Sequence, residues 1–153
     1  MVKQLPIRVR GAHKTDVRSQ FGALCFRKRS GKLQVLLITS RRQGRWIIPK
    51  GWPMDKHTPA QSAAQEAWEE AGVKGKPFER CLGIYSYSKS YEGVGRFPCV
   101  VMVYGVQVKS LSANFPEKGQ RRRRWFSPKK AASKVLEPEL AKLLRSFDPR
   151  MFG

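Results

Sequence analysis

The stretch Gly51–Val73, GWPMDKHTPAQSAAQEAWEEAGV, constrains this chain more than any other. It holds three carboxylates, Glu66, Glu69 and Glu70. From His57 to Val73 it has neither lysine nor arginine, although the chain carries 31 of them. Thr58-Pro59-Ala60-Gln61 matches a capping box, with threonine as N-cap, proline at the first helical position and glutamine at the third. Ala-rich sequence then runs to Ala71, and Gly72 is a good helix stop. The pattern predicts a helix over this stretch. Residues three and four apart share a helix face, so Glu66 stands over both Glu69 and Glu70. Ala63, Ala64, Ala67, Trp68 and Ala71 supply a face that can pack on a sheet. On these residues alone two readings are open. One is a solvated acidic face. The other is a seat for a hard divalent cation, Mg²⁺ or Mn²⁺, which takes carboxylate oxygens and keeps positions for water and phosphate.

The rest of the chain is strongly basic, with 31 Lys and Arg against 11 Asp and Glu and a net charge of +20. Such an excess points to a polyanionic partner: nucleic acid, a polyphosphorylated small molecule or anionic lipid. A basic surface with no dedicated partner is the plainer alternative. At 153 residues and 41% hydrophobic, the chain fits one globular domain with a real core. Residues 1–17 read as a basic N-terminal arm and residues 18–153 as a single domain. Cys25, Cys81 and Cys99 are widely spaced and form no CxxC, which argues against a disulfide framework or zinc site and makes a reducing cytoplasm the expected compartment. No apolar run approaches the roughly 18 residues of a membrane span. The N-terminus lacks the apolar core of a secretory signal.

Along the chain, Phe21–Arg27 and the β-branched run Leu33–Thr39 form a hairpin candidate around Ser30-Gly31-Lys32. Ser40–Arg45 is a basic loop, and Trp46-Ile47-Ile48 is a short strand stopped by Pro49. After the carboxylate helix, Lys74–Pro77 reads as a turn, Phe78–Ser88 as a strand and Ser88–Arg96 as a loop. Phe97–Val108 is the most strand-like run, and Lys109–Gln120 is a second polar loop. Arg121–Phe126 ends as a short strand. Ser127-Pro128 starts a helix, and Pro138–Phe147 is another, with Leu140, Leu143, Leu144 and Phe147 on one face. The order of strands, helix, strands and helices implies an α+β layered fold.

Gly51–Val73 resembles the Nudix box, G-x5-E-x7-R-E-U-x-E-E-x-G-U, with U aliphatic. Gly51, Glu66, Ala67, Glu69, Glu70, Gly72 and Val73 match it in register. His57 stands in place of the first glutamate and Gln65 in place of the arginine. In the family those two form a bracing ion pair, and a neutral His57–Gln65 hydrogen bond is the expected substitute. FGALCFR, LQVLLIT and RWIIPKG resemble the first strands of the family's domain, and WFSPKKAASKVL resembles its ending. The basic loop, RWIIPKG and RRRRWF look most like the diphosphoinositol-polyphosphate and diadenosine-polyphosphate hydrolase branch.

The resemblance implies an α/β/α sandwich with a mixed β-sheet between helices, and metal-dependent hydrolysis of a phosphoanhydride. Glu66, Glu69 and Glu70 would be catalytic. Glu66, Glu70 and the Gly51 carbonyl would hold Mg²⁺ or Mn²⁺, with a general base among the box glutamates or in a loop, at Glu117 or Glu92. Phosphate-binding candidates are Arg41, Arg42, Arg45, Lys50, Arg96 and the run Arg121–Arg124. On a strand only alternate members of that run share a face, and Arg122 with Arg124 are taken as one such pair. Tyr87 and Tyr91 are stacking candidates, Trp52 a candidate for the pocket mouth and Trp68 for the core. The expected partner is an anionic polyphosphate: diphosphoinositol polyphosphate, dinucleoside polyphosphate or another nucleoside-diphosphate derivative. The competing reading is a nucleic-acid-binding or RNA-end-processing module on the same scaffold, with weakened catalysis.

Overall fold

The computed structural model describes residues 17–91 and 95–152 of the chain. Most of the basic arm, residues 1–16, and Glu92 lie outside the described residues. Strands β1 (Arg18–Arg29), β2 (Lys32–Thr39), β3 (Trp46–Ile47), β4 (Lys50–Gly51), β5 (Val73–Tyr91), β6 (Gly95–Leu111) and β7 (Arg123–Phe126) form one mixed sheet. Its main path runs β3-β2-β1-β6-β5, with β4 on β1 and β7 on β2. β1 runs parallel to β6, and the other pairings are antiparallel. Ser30 and Gly31, both at positive φ, turn the β1–β2 hairpin. Helix α1 (Pro59–Ala71) covers one face of the sheet, and α2 (Pro128–Lys134) and α3 (Pro138–Ser146) cover the other.

Alternation along the strands builds both cores. Leu24, Phe26, Val35 and Leu37 point to α2 and α3, where Ala131, Leu140, Leu144 and Phe147 meet them. Ala23, Cys25, Leu36 and Ile38 point to α1. There the packing residues are Ala60, Ala63, Ala67 and Ala71, all fully buried, and such short side chains bring the helix axis close to the strands. The helix ends are those the sequence predicts. The Thr58 side chain accepts from Gln61 N, the Gln61 side chain accepts from Thr58 N, and Gly72 closes the helix at φ 69°.

Three loop expectations give way to strand. Lys74–Pro77 is not a turn: it continues β5 in register with residues 106–110 of β6. Gly75 and Pro77 are absorbed as irregularities, which an edge strand tolerates. A Cβ at Gly75 would overlap the Gln107 carbonyl, so this glycine permits a close backbone approach. The expected loop Ser88–Arg96 is mostly strand, with Ser90 paired to Arg96 and Tyr91 to Gly95, and β6 runs on to Leu111 before the second loop begins. A short 3₁₀ turn, Pro149–Phe152, returns Phe152 to stack on Phe78 at 4.1 Å.

Leu144 is fully buried between α3 and the sheet. Leu144→Ala is expected to lower unfolding free energy by about 2–5 kcal/mol, read from urea denaturation with an unchanged m-value.

Candidate metal and phosphate site

The site is organised where β4 meets α1. Gly51 pairs with Phe21 of β1, which fixes its backbone against the sheet. The alanine stripe seats α1 so that Glu66 turns onto this glycine. A Cβ at Gly51 would overlap the Glu66 carboxyl group, so only glycine leaves room for it. Glu66 and Glu70, one turn apart, are both buried. Burial pushes Glu66 from its ordinary 4.5 up to about 9, reinforced by a hydrogen bond with Glu70 and by the charges of Glu70, Glu69 and Glu117. Burial raises Glu70 as well, against the opposing pull of its bond with Glu66 and of Arg121 and Lys50. Two desolvated carboxyls sharing a proton are a donor set a hard cation would satisfy better. Among the described residues no three His, Cys, Asp or Glu side chains converge into a cage. A cation here would draw on Glu66, Glu70 and the Gly51 carbonyl, leaving positions for water and substrate oxygens, as suits Mg²⁺ or Mn²⁺.

Glu69 is less buried than that pair, and its charge still reaches Glu66. It lines a cleft on the outer side of α1 with Met54, Asp55, His57, Gln65 and Pro116. His57 and Gln65 share this cleft, but the expected hydrogen bond between them is not made: His57 Nδ1 lies 2.8 Å from the Asp55 carbonyl oxygen. The loop is tied to the helix elsewhere. Met54 N donates to Ser62 Oγ at 3.2 Å, and Ser62 is fully buried. A serine inside an alanine-rich helix was the available signal for this contact.

The loop at 112–120 closes the site from above α1. Glu117 N donates to the Glu69 carbonyl at 3.0 Å. The Glu117 carboxylate accepts from Arg121 Nε and Nη2, both at 3.4 Å. Arg121 Nη2 lies 3.9 Å from Glu70 Oε1, and its Nη1 donates to the Thr39 carbonyl. Of the arginine run, Arg121 is therefore the member against the carboxylates. Arg123 shares its face and donates to the Ala71 carbonyl at 2.7 Å. Arg122 and Arg124 lie on the other face, exposed, over the Trp46 ring.

Lys50 projects to the α2–α3 side, with Nζ 4.9 Å from the centroid of the Tyr87 ring. Burial lowers its pKa to about 8, while Glu70 and Glu137 hold it up and Lys89 and Arg121 depress it further. Tyr87 is fixed by its hydroxyl, which donates to Gln20 Oε1 at 2.6 Å. The Lys89 ammonium lies over the ring of Trp52, the residue after Gly51. Arg45 donates from Nε to Gln43 and from Nη1 to Glu137. Arg41 and Arg42 are exposed, and Arg41 is bonded to Gln120. Arg96 is exposed on β6 beside Ser90. The side chain of Tyr91 lies outside the described residues, and Trp68 sits half-buried at the edge of α1 under Lys74. Sequence reasoning did not find Lys89 or Glu137, since neither stands near a motif.

Residues 17–147 match the family model described as NUDIX domain. Nudix hydrolase 13, mitochondrial, of Arabidopsis thaliana is 36% identical over 105 residues, 65% of this chain and 52% of that protein. Human diphosphoinositol polyphosphate phosphohydrolase NUDT4B is 30% identical over 139 residues, 90% of this chain and 72% of that one. The chain spans about half the length of the plant relatives it matches. Among solved structures, C. elegans Ap4A hydrolase aligns with a TM-score of 0.57 at 22% identity, covering 83% of this chain and 92% of that one. The MutT protein from Methanosarcina mazei Go1 aligns with a TM-score of 0.63 at 18% identity, covering 93% and 100%. At these identities the likeness to solved structures is one of fold.

Gly51→Ala is expected to weaken Mn²⁺ binding by about 10–100-fold, read by titration calorimetry, because the methyl group displaces Glu66. Glu66 holds its proton more tightly folded (about 9) than unfolded (near 4.5), so the folded state binds more protons between those values. Metal-free stability should therefore fall as pH rises from 5 to 8 within that window, and Glu66→Gln should flatten the trend in thermal melts. Ser62→Ala should cost about 1–2 kcal/mol of stability in denaturant titrations, and exposed His57→Ala less than about 0.5.

Proposed function

Because the chain belongs to the Nudix hydrolase family, we propose that it hydrolyses a phosphoanhydride bond with Mg²⁺ or Mn²⁺ held by Glu66, Glu70 and the Gly51 carbonyl. The observation that carries this reading is the buried Glu66–Glu70 pair on Gly51, flanked by Arg121 and Lys50. Carboxylates with cations on either side are what a metal–polyphosphate complex requires.

The cation, when bound, screens charge on the phosphate oxygens and lowers the pKa of its water. The protein's own groups do the rest. As ligands, Glu66 and Glu70 would give up a proton, so loading would be favoured as pH rises. Glu117 is the loop carboxylate beside this pair, and it serves as acceptor or orienter for the attacking water. Arg121 exchanges its carboxylate partners for phosphate oxygens, which match its planar fork. Lys50 adds a point charge from the opposite side. Glu69 supports the helix from the outer cleft. Arg45, Arg41, Arg42, Arg96, Arg122 and Arg124 attract the anion and line its approach.

The substrate is highly anionic: a diphosphoinositol polyphosphate, a dinucleoside polyphosphate or another nucleoside-diphosphate derivative. The names of the human relative and of the C. elegans neighbour support that class. A nucleic-acid-binding or RNA-end-processing module with weakened catalysis draws on the net charge and on the His57 and Gln65 departures, and the intact carboxylate pair favours the hydrolase.

Incubation with Mg²⁺ or Mn²⁺ and a panel of phosphoanhydrides should give turnover that Glu70→Gln lowers by about 100-fold or more. Equal turnover in the variant, or none from the wild type across the panel, would sink the proposal.

A further inference from the structure

The cleft on the outer side of α1 has a volume of about 530 Å³, the size of a small-molecule site. Gln65 and Glu69, one turn apart on the helix, line it. The loop before α1 adds Met54, Asp55 and His57, and the loop at 112–120 adds Pro116. Both loops are pinned to α1 by main-chain donors: Met54 N to Ser62 Oγ at 3.2 Å and Glu117 N to the Glu69 carbonyl at 3.0 Å. The fold itself therefore sets the shape of this cleft.

Both departures from the Nudix box, His57 and Gln65, line the cleft without bonding to each other. Ser62 already braces the loop, so their polar atoms are left for another partner. The side chains of Gln65 and Glu69 have no hydrogen-bond partner among the described residues. A carbonyl oxygen only accepts, so His57 Nδ1 carries the proton given to Asp55, and Nε2 of the neutral ring is an acceptor. The carboxylates of Asp55 and Glu69 accept as well, while the Gln65 amide both donates and accepts. Although the chain has a net charge of +20, no lysine or arginine is among the described residues that line the cleft. Phosphate is thus a poor fit, and Met54 and Pro116 add apolar contact. The complement is an uncharged group with an amine to donate and a ring nitrogen to accept.

The cleft joins the carboxylate site through three pairs of sequence neighbours. Gln65 and Glu66, Glu69 and Glu70, and Pro116 and Glu117 each put the first member in the cleft and the second at or beside the buried pair. Successive residues of α1 are turned by about 100°, so one ligand can reach both stripes of the helix. We propose that this cleft is a base-binding subsite for an amino-bearing purine, which makes the substrate a purine-nucleoside-linked phosphoanhydride. The Gln65 amide takes the exocyclic amine and a ring nitrogen together, as glutamine does with adenine. An arginine in that place, as in the Nudix box, has no acceptor to offer the amine. The assignment rests on the hydrolase reading of the neighbouring site, but base binding can be read without any phosphate.

Adenosine titrated into the ¹⁵N-labelled full-length chain should shift the Gln65 side-chain amide and the backbone amides of His57 and Glu69 in NMR spectra. Inosine, which carries a carbonyl in place of the amine, should bind about tenfold more weakly. Gln65→Leu and Gln65→Arg should each remove the preference for adenosine while leaving the melting temperature close to wild type. With Mg²⁺ present, calorimetry should show the methylene analogue of ADP binding more tightly than methylenediphosphonate. Both variants should reduce that advantage by about tenfold and leave methylenediphosphonate within about twofold. Shifts confined to other parts of the chain, equal binding of adenosine and inosine, or an advantage kept in both variants would overturn the proposal. If adenosine shifts the cleft but no phosphoanhydride is cleaved, the hydrolase reading fails and the base subsite stands. Cleavage without a shift in the cleft is the reverse result.

Discussion

The rest of the structure depends on how closely α1 lies on the sheet. Four fully buried alanines, Ala60, Ala63, Ala67 and Ala71, set that distance. Larger side chains there would lift the helix and carry Glu66 away from Gly51. Because the helix lies so low, a carboxyl group is pressed onto a backbone that only glycine can offer. The penalty of burying Glu66 and Glu70 side by side is built in. Packing energy from two apolar layers holds in place a pair of groups that would otherwise repel each other or draw in solvent.

The first half of the chain was largely legible in its sequence, and the reasons are local. Thr58, Pro59, Gln61 and Gly72 each carry a backbone preference that needs no tertiary partner, so both ends of α1 follow from residues within one turn. The hairpin around Ser30-Gly31 is equally local. What could not be read is what depends on distant chain segments. Lys74–Pro77 has turn composition, yet an antiparallel neighbour, β6, supplies a ladder that overrides it. His57 and Gln65 look like a bracing pair in one dimension. In three, a buried hydroxyl on Ser62 already does the bracing.

The same divide runs through the site. The carboxylates stand in a motif and were found there. The cations do not, because strand parity decides which face an arginine takes, and a run of four gives no phase. β7 pairs Ile38 with Arg123 and Leu37 with Arg124, and that register sends Arg121 and Arg123 toward α1 and the other two toward Trp46. Glu137 was invisible for a further reason. It looks like an ordinary helix-leading acid, and only the fold turns its side chain inward.

The loop at 112–120 is tied to α1 at two points through main-chain atoms alone: Ser112 N to the Gly72 carbonyl at 2.8 Å and Glu117 N to the Glu69 carbonyl at 3.0 Å. Backbone bonds of this kind do not depend on which side chains the loop carries. The position of the loop over the carboxylates is thereby separated from its chemistry. Its residues can be exchanged one by one, redrawing the rim of the site, while the carboxylate pair beneath stays folded. A scaffold wired in this way can change what it accepts without relearning how to cut.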